Sequence, residues 1–232
     1  MKSQRILLFS DCHVPHQDET IIGLLKRIRD RLPFDRVICL GDLLDAEFLI
    51  NEYATDDFQK HVDAAKRIIG EIGCDTLLEG NHYGPRLRRK MTPALHNVLA
   101  IDRLLELPDL EIVPYSPNEI HRVGKLGFLH GVYHGVYAVR KHLEIYGSCV
   151  MGHVHSSKQW THQIGGDLNQ CTSLGCTCRL EMPWHRTPMG HNLGFATATV
   201  FADGTFQVQN YVLHRDMKRV VVDDHEFKLN WK

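Results

Sequence analysis

Short apolar runs in this chain repeatedly end in polar turns rich in Asp, Asn and His, and that repetition narrows the folds open to it. Residues 5–9 lead to Asp11-x-His13, residues 36–40 to Asp42-x-x-Asp45, and residues 74–78 to Gly80-Asn81-His82-Tyr83. Further on, residues 126–129 lead to His130, and residues 148–151 to His153-x-His155. Runs this short, bounded by turn residues, read as buried strands. Between the first three, apolar residues recur at helical spacing. Ile21, Ile22, Leu24, Leu25, Ile28 and Leu32 follow Asp18 as N-cap and stop at Pro33. Phe58, Val62, Ala65, Ile69 and Ile72 share one helical face behind Thr55 as cap. A βαβαβ order predicts a parallel sheet covered by helices.

The pattern changes past His82. The run Arg86-Leu87-Arg88-Arg89-Lys90 reads as helical, and a second helical stretch spans Leu95 to Leu107 before Pro108. Residues 120–123 and 126–129 read as strands joined by a hairpin-like turn at Gly124-Lys125. A helix is expected from about Tyr133 to Tyr146, and another hairpin where residues 195–201 and 206–212 flank Ala202-Asp203-Gly204-Thr205. Residues 175–194 form a long loop rich in Gly, Pro and His, the kind that in a compact domain is usually functional. With no internal repeat or linker, residues 1–232 read as a single mixed α/β domain.

Composition excludes several classes. A net charge of −1 and a pI near 7.0 argue against a broadly basic nucleic-acid surface. No segment approaches 18 uninterrupted apolar residues, so no membrane span is expected. The apolar run from Ile6 to Phe9 is too short for the centre of a signal peptide. The cysteines are odd in number and scattered, which fits a reducing, cytoplasmic setting better than a disulfide framework. Cys39, Cys74 and Cys149 sit in apolar runs as small hydrophobes. Cys176-Thr177-Cys178 has no second pair at zinc-site spacing and reads as structural or incidental. Nothing marks an obligate protein partner.

The polar turns carry the chemistry. In open α/β sheets ligands bind beyond the carboxyl ends of the strands, and each turn lies at such an end. Asp11, His13, Asp42, Asn81, His130, His153 and His155 offer carboxylate, imidazole and amide donors suited to Mn, Fe, Zn or Ni. One Asp-x-His pair is commonplace. The whole series exceeds the needs of one tetrahedral ion and fits two ions that share a carboxylate.

The blocks Asp11-x-His13, Gly41-Asp42-x-x-Asp45, Gly80-Asn81-His82, His130-Gly131 and Gly152-His153-x-His155 closely resemble the calcineurin-like metallophosphoesterases, in the family's order. The run His130-Gly-Val-Tyr-His-Gly135 also looks like bacterial and phage-borne members. The resemblance implies a four-layer α/β/β/α sandwich and a two-metal phosphoester hydrolase. It implies one ion on Asp11, His13, Asp42 and His155, and another on Asp42, Asn81, His130 and His153, with Asp42 bridging. Manganese is the first expectation for both ions, with Fe, Zn, Ni or Mg as alternatives. A bridging hydroxide would attack phosphorus while His82 protonates the leaving oxygen. Asp45 would orient His82, although as a residue it also suits a helix N-cap.

One position departs from the family. Tyr83 stands where an acidic residue usually follows Asn-His, and it is expected to stack on a substrate ring. Arg86, with Arg88, Arg89 and Lys90, suits either a phosphate chain or a solvated helix face. His16 and His134 are candidates for the pocket, and Trp184, His185, His191 and Asn192 for its rim. The substrate is expected to be a phosphomonoester or phosphodiester, with nucleotide, nucleic acid and phosphoprotein all open. A nuclease of phage-type DNA processing is one alternative. A metal-binding scaffold that has lost catalysis is the other, with Tyr83 as its best support.

Overall fold

A computed structural model describes residues 2–46, 57–118, 120–164, 167–181 and 190–231. The alternation of apolar side chains along the strands builds the layers. In β1 (Gln4–Phe9), Leu7 and Phe9 face one way and Ile6 and Leu8 the other. Leu7 and Phe9 join a core with Ile21, Leu25 and Ile28 of α1 (Glu19–Arg31) and Ala65, Ile69 and Ile72 of α2 (Phe58–Ile72). Ile6 and Leu8 join a second core with Ile38, Val123, Leu126, Phe128 and Val150. A third core packs Leu129, Cys149 and Met151 against Val139 and Leu143 of α6 (Ala138–Tyr146). The sequence of layers is helix, sheet, sheet, helix, as the resemblance implied.

The first sheet has six strands in the order β11-β10-β1-β2-β3-β4. Its parallel half is β1, β2 (Arg36–Cys39), β3 (Thr76–Leu78) and β4 (Glu111–Val113). Antiparallel β10 (Leu193–Val200) and β11 (Phe206–Leu213) complete it, joined across the expected turn at 202–205. The second sheet runs β5-β6-β7-β9-β8. In it β6 (Leu126–Leu129), β7 (Cys149–Met151) and β9 (Asp167–Ser173) are parallel, flanked by antiparallel β5 (His121–Val123) and β8 (Lys158–Ile164). The hairpin at Gly124-Lys125 holds, with Val123 opposite Leu126. The hairpin of β12 (Arg219–Val222) and β13 (His225–Lys228) packs against α1.

Three helical expectations change. The run expected at 86–90 is α3 (Gly84–Lys90), whereas the stretch expected from Leu95 to Leu107 divides into α4 (Pro93–Val98) and α5 (Ile101–Leu105). Pro93 opens α4, and the break falls at Leu99 and Ala100, where Ala100 takes an extended conformation. The helix expected from Tyr133 begins at Ala138, because Gly135 adopts φ +87° and His142 Nε2 accepts the Val132 N–H at 2.9 Å. Asp57, whose carboxylate accepts the Gln59 N–H at 3.1 Å, caps α2; Thr55 lies outside the described residues, as do Trp184 and His185. Among the described residues no helix is long and apolar enough to cross a membrane.

Candidate metal centre

The turns after β1 and β2 continue the parallel pairing past the ends of both strands. The N–H groups of Asp11 and His13 donate to the carbonyls of Gly41 and Asp42 at 3.0 and 2.9 Å, and Val14 and Asp45 extend the ladder. Asp11, His13, Asp42 and Asp45 therefore stand side by side. The second sheet closes over them. His130 Nδ1 donates to the Leu40 carbonyl at 2.9 Å, and the His153 N–H donates to Asp11 Oδ2 at 3.0 Å. The first of these bonds leaves His130 Nε2 free to ligate.

The backbone here is strained. Asp11, His13, Asp42, His153 and His155 all hold φ between +47° and +71°, a region that costs a side-chain-bearing residue of order 1–3 kcal/mol. Tertiary bonds such as those just named hold them there. Gly80 serves a different need. A Cβ at Gly80 would lie 1.9 Å from Asp42 Oδ1, so only glycine lets the β3 turn approach that carboxylate.

Of four close donor groups among the described residues, two consist wholly of expected ligands. Asp11, His13 and His155 form one, and Asp42, His130 and His153 the other. In the first, His155 Nε2 lies 3.2 Å from Asp11 Oδ1 and 3.0 Å from His13 Nε2. In the second, His130 Nε2 lies 3.1 Å from Asp42 Oδ2 and 2.9 Å from Asn81 Oδ1. Asp42 Oδ2 is also 3.8 Å from His13 Nε2, which sets this carboxylate between the clusters. Asp11, His13, Asp42 and His130 are at most 3% exposed. Buried carboxylates and imidazole nitrogens turned toward a common point are what divalent cations require, and the donor set fits such ions.

The protonation states show how tightly these charges are matched. Burial pushes the Asp11 carboxyl up, but the His155 charge and bonds from His13 and His155 outweigh it and hold it well below the usual range. Asp42 follows the same logic, with His130 as its main charge partner. Burial disfavours a charged His13, yet bonds to Asp11 and Asp45 lift it to about 9. Burial and the neighbouring His130 push His153 down to about 4.

His82 sits beside the clusters, its side chain 26% exposed. Its Nδ1 is hydrogen-bonded to Asp45 Oδ1, and its Nε2 lies 3.9 Å from Asp42 Oδ2. Asp45 also faces His13 Nδ1 at 3.4 Å, so one carboxylate serves a candidate ligand and the candidate acid together. The bonds from His13 and His82 overcome the effect of burial on Asp45 and hold its pKa far down.

The substrate candidates fare differently. Tyr83 is 2% exposed, stacks on Phe58 and donates its hydroxyl to the Leu99 carbonyl at 2.7 Å. It belongs to the core, which corrects the expectation that it stacks on substrate: the backbone turn that aims His82 into the cleft sends the next side chain inward. Arg86 reaches the site but is engaged there, donating to the Asp45 carbonyl at 2.5 Å and to Asp45 Oδ1 at 3.2 Å. His134 is exposed, its ring 6.5 Å from that of His153. His16 donates its N–H to the His13 carbonyl at 2.7 Å, just beyond the first turn. Of the rim candidates, His191 lies with its ring 4.8 Å from His155. Asn192 donates to Ser157 Oγ at 3.1 Å and accepts the Ser157 N–H at 2.8 Å.

Two participants escape a reading of the sequence, and a third was read otherwise. The Leu40 carbonyl that orients His130 is anonymous backbone. The Tyr115 ring stands 6.2 Å from His130, with its hydroxyl on the Gly131 carbonyl at 3.1 Å, and nothing near it in sequence signals this. Cys176 and Cys178, read from their spacing as structural or incidental, cluster with His155.

A double-sheet sandwich with paired Asp and His clusters at one end is the architecture of metallophosphoesterases. The chain belongs to the calcineurin-like phosphoesterases, whose family model matches residues 4–163. No curated protein sequence matches it. Among solved structures it is similar to the NAD nucleotidase of Haemophilus influenzae, at 12% identity over 99% of this chain and 54% of that one, with a TM-score of 0.51. It is also similar to the nuclease MPE of Pseudomonas putida, at 17% identity over 90% and 87% of the two chains and a TM-score of 0.41. Vacuolar protein sorting 29 of Cryptosporidium parvum matches at 15% identity over 93% and 100%, with a TM-score of 0.45. At such identities the likeness to the nucleotidase is one of fold.

Proposed function

We propose that the chain is a two-metal phosphoester hydrolase. The observation that carries this reading is the pair of donor clusters with an Asp45-held His82 beside them. Asp11, His13, Asp42 and His155 would hold one ion and Asp42, Asn81, His130 and His153 the other. Manganese suits this oxygen- and imidazole-rich set. When bound, the pair supplies Lewis acidity toward the phosphoryl oxygens and an activated water.

The chain's own residues do the rest. Asp45 accepts the Nδ1–H of His82, which fixes the tautomer and leaves Nε2 to carry the mobile proton. As the phosphorus–oxygen bond breaks, that proton passes to the leaving oxygen, which would otherwise depart as a costly alkoxide. Arg86, bound to both the carbonyl and the carboxylate of Asp45, keeps this acceptor in place. The substrate is a phosphomonoester or phosphodiester, and a diester preference would point to nucleic acid or cyclic nucleotides. Every cysteine is a free thiol, which supports a reducing, cytoplasmic setting.

The general acid is tested with His82→Ala on a phenyl ester and its para-nitrophenyl counterpart. Turnover of the phenyl ester, the poorer leaving group, is expected to fall by about 10²–10⁴-fold. The loss on the nitrophenyl ester is expected to be smaller, and metal uptake to be unchanged. Equal losses on the two esters, or a loss of only a few-fold on the phenyl ester, would remove His82 from the role.

A further inference from the structure

His155 belongs to two clusters. Its Nε2 faces Asp11 and His13, while the ring also groups with the sulfurs of Cys176 and Cys178, all three ligand atoms lying within 4.8 Å of one another. The other ring nitrogen, Nδ1, is buried and has no oxygen or nitrogen partner, while the ring interacts with the Cys176 side chain. A buried imidazole nitrogen ordinarily has an oxygen or nitrogen partner, and one that faces thiols instead is placed as a metal ligand would be.

The two cysteines are fixed in place before any ligand arrives. The Cys176 N–H donates to the Asn192 carbonyl at 2.9 Å, and the Cys176 carbonyl accepts the Gly194 N–H at 3.1 Å. Between them, the Thr177 N–H and hydroxyl both donate to the Ser10 carbonyl, at 3.0 and 2.8 Å. Beyond them, the Arg179 N–H donates to the His16 carbonyl at 2.8 Å. The segment is therefore laced to the β1 turn on one side and to the start of β10 on the other. Both cysteines are at most 1% exposed. The Cys176 sulfur makes long contacts to the carbonyls of Cys178 and Asn192, at 3.7 and 3.6 Å, and interacts with the side chains of Cys178 and His155, contacts that a shared metal ion would replace.

We propose that Cys176, Cys178 and Nδ1 of His155 form a further metal site, selective for a soft divalent ion of the zinc and cadmium class. Two thiolates and an imidazole are a zinc-type donor set, with the remaining position open to water. The Asp11–His13 cluster offers only oxygen and imidazole, so softness sorts ions between the two sites. Because one ring serves both, an ion on the thiol side adds positive charge beside the Asp11 cluster and weakens manganese binding there. The site stands whether or not the chain hydrolyses phosphoesters.

The test is a Cd²⁺ titration of the reduced, metal-free protein, followed by the ultraviolet thiolate-to-cadmium charge-transfer band. The band is expected to saturate at one equivalent, to vanish in C176S/C178S and to persist in C149S/C171S, which removes the neighbouring thiol pair whose sulfurs are 3.4 Å apart. Absence of the band in the unaltered protein, or its survival in C176S/C178S, would overturn the site. Cadmium-113 NMR of the unaltered protein gives an answer that needs no variant to fold. A resonance in the two-thiolate range is the expected result, and resonances only in the oxygen and nitrogen range would refute the proposal.

Discussion

At the scale of single residues, Tyr83 shows how a departure from a family pattern gains or loses meaning with its direction. In the sequence it is the one sign of a catalytically silent scaffold. In the fold it is a core residue tied to the Leu99 carbonyl, so it carries no argument about the cleft. Tyr83→Phe leaves that carbonyl without its partner and is expected to cost about 1 kcal/mol of stability, measured by denaturant unfolding. The Michaelis constant for an aryl phosphate is expected to stay unchanged; a rise with intact stability would return Tyr83 to the substrate. The ligand-type residues were legible because Asp, Asn and His at strand ends are chemically out of place. The inward turn of Tyr83 was not, since side-chain direction after a loop depends on backbone angles that composition does not encode.

At the scale of elements, the site is made by strand ends rather than by helices. The parallel strands β1, β2 and β3 of one sheet, and β6 and β7 of the other, each deliver one turn, and cross-sheet bonds such as His130 to Leu40 lock the two halves. The first three strands and two helices could be read from periodicity, as could both hairpins with glycine turns. The β8 and β9 hairpin could not: Lys158–Ile164 is largely polar and exposed, and lacks the clean alternation that marks a strand. The short helices α4 and α5 appeared as one longer helical stretch because their apolar spacing survives the break at Leu99 and Ala100. Gly80 is the element-scale control point. Gly80→Ala would force a Cβ into Asp42, and it is expected to abolish binding of one of two Mn²⁺ ions while far-ultraviolet circular dichroism stays native. Retention of both ions with full turnover would show that the β3 turn does not depend on that close approach.

At the scale of the whole molecule, the two sheets enclose a balanced set of buried charges, and proton and metal compete for it. His13, lifted to about 9 by Asp11 and Asp45, carries a proton at neutral pH in the metal-free protein. For that protein the sign is set by a raised folded pKa: the stability this ring contributes is full below its unfolded value of about 6.5 and is lost as pH rises through about 9. A metal needs the neutral ring, so ligation displaces the proton. Manganese affinity, followed by calorimetric titration, is therefore expected to rise by at least about tenfold per pH unit between pH 7 and 9, because His155 of the same set is raised as well. A flat profile across that range would place both His13 and His155 outside the ligand set.

The central claim is that two bound ions make this chain a phosphoester hydrolase. It is tested most directly by adding Mn²⁺ to the metal-free protein in measured equivalents while following hydrolysis of para-nitrophenyl phosphate and its bis-ester. The expected result is turnover of at least one ester that appears with bound metal and levels off at two equivalents, the preferred ester assigning a phosphatase or a phosphodiesterase. Two equivalents firmly bound with no turnover of either ester would contradict the account and make the chain a metal-binding scaffold.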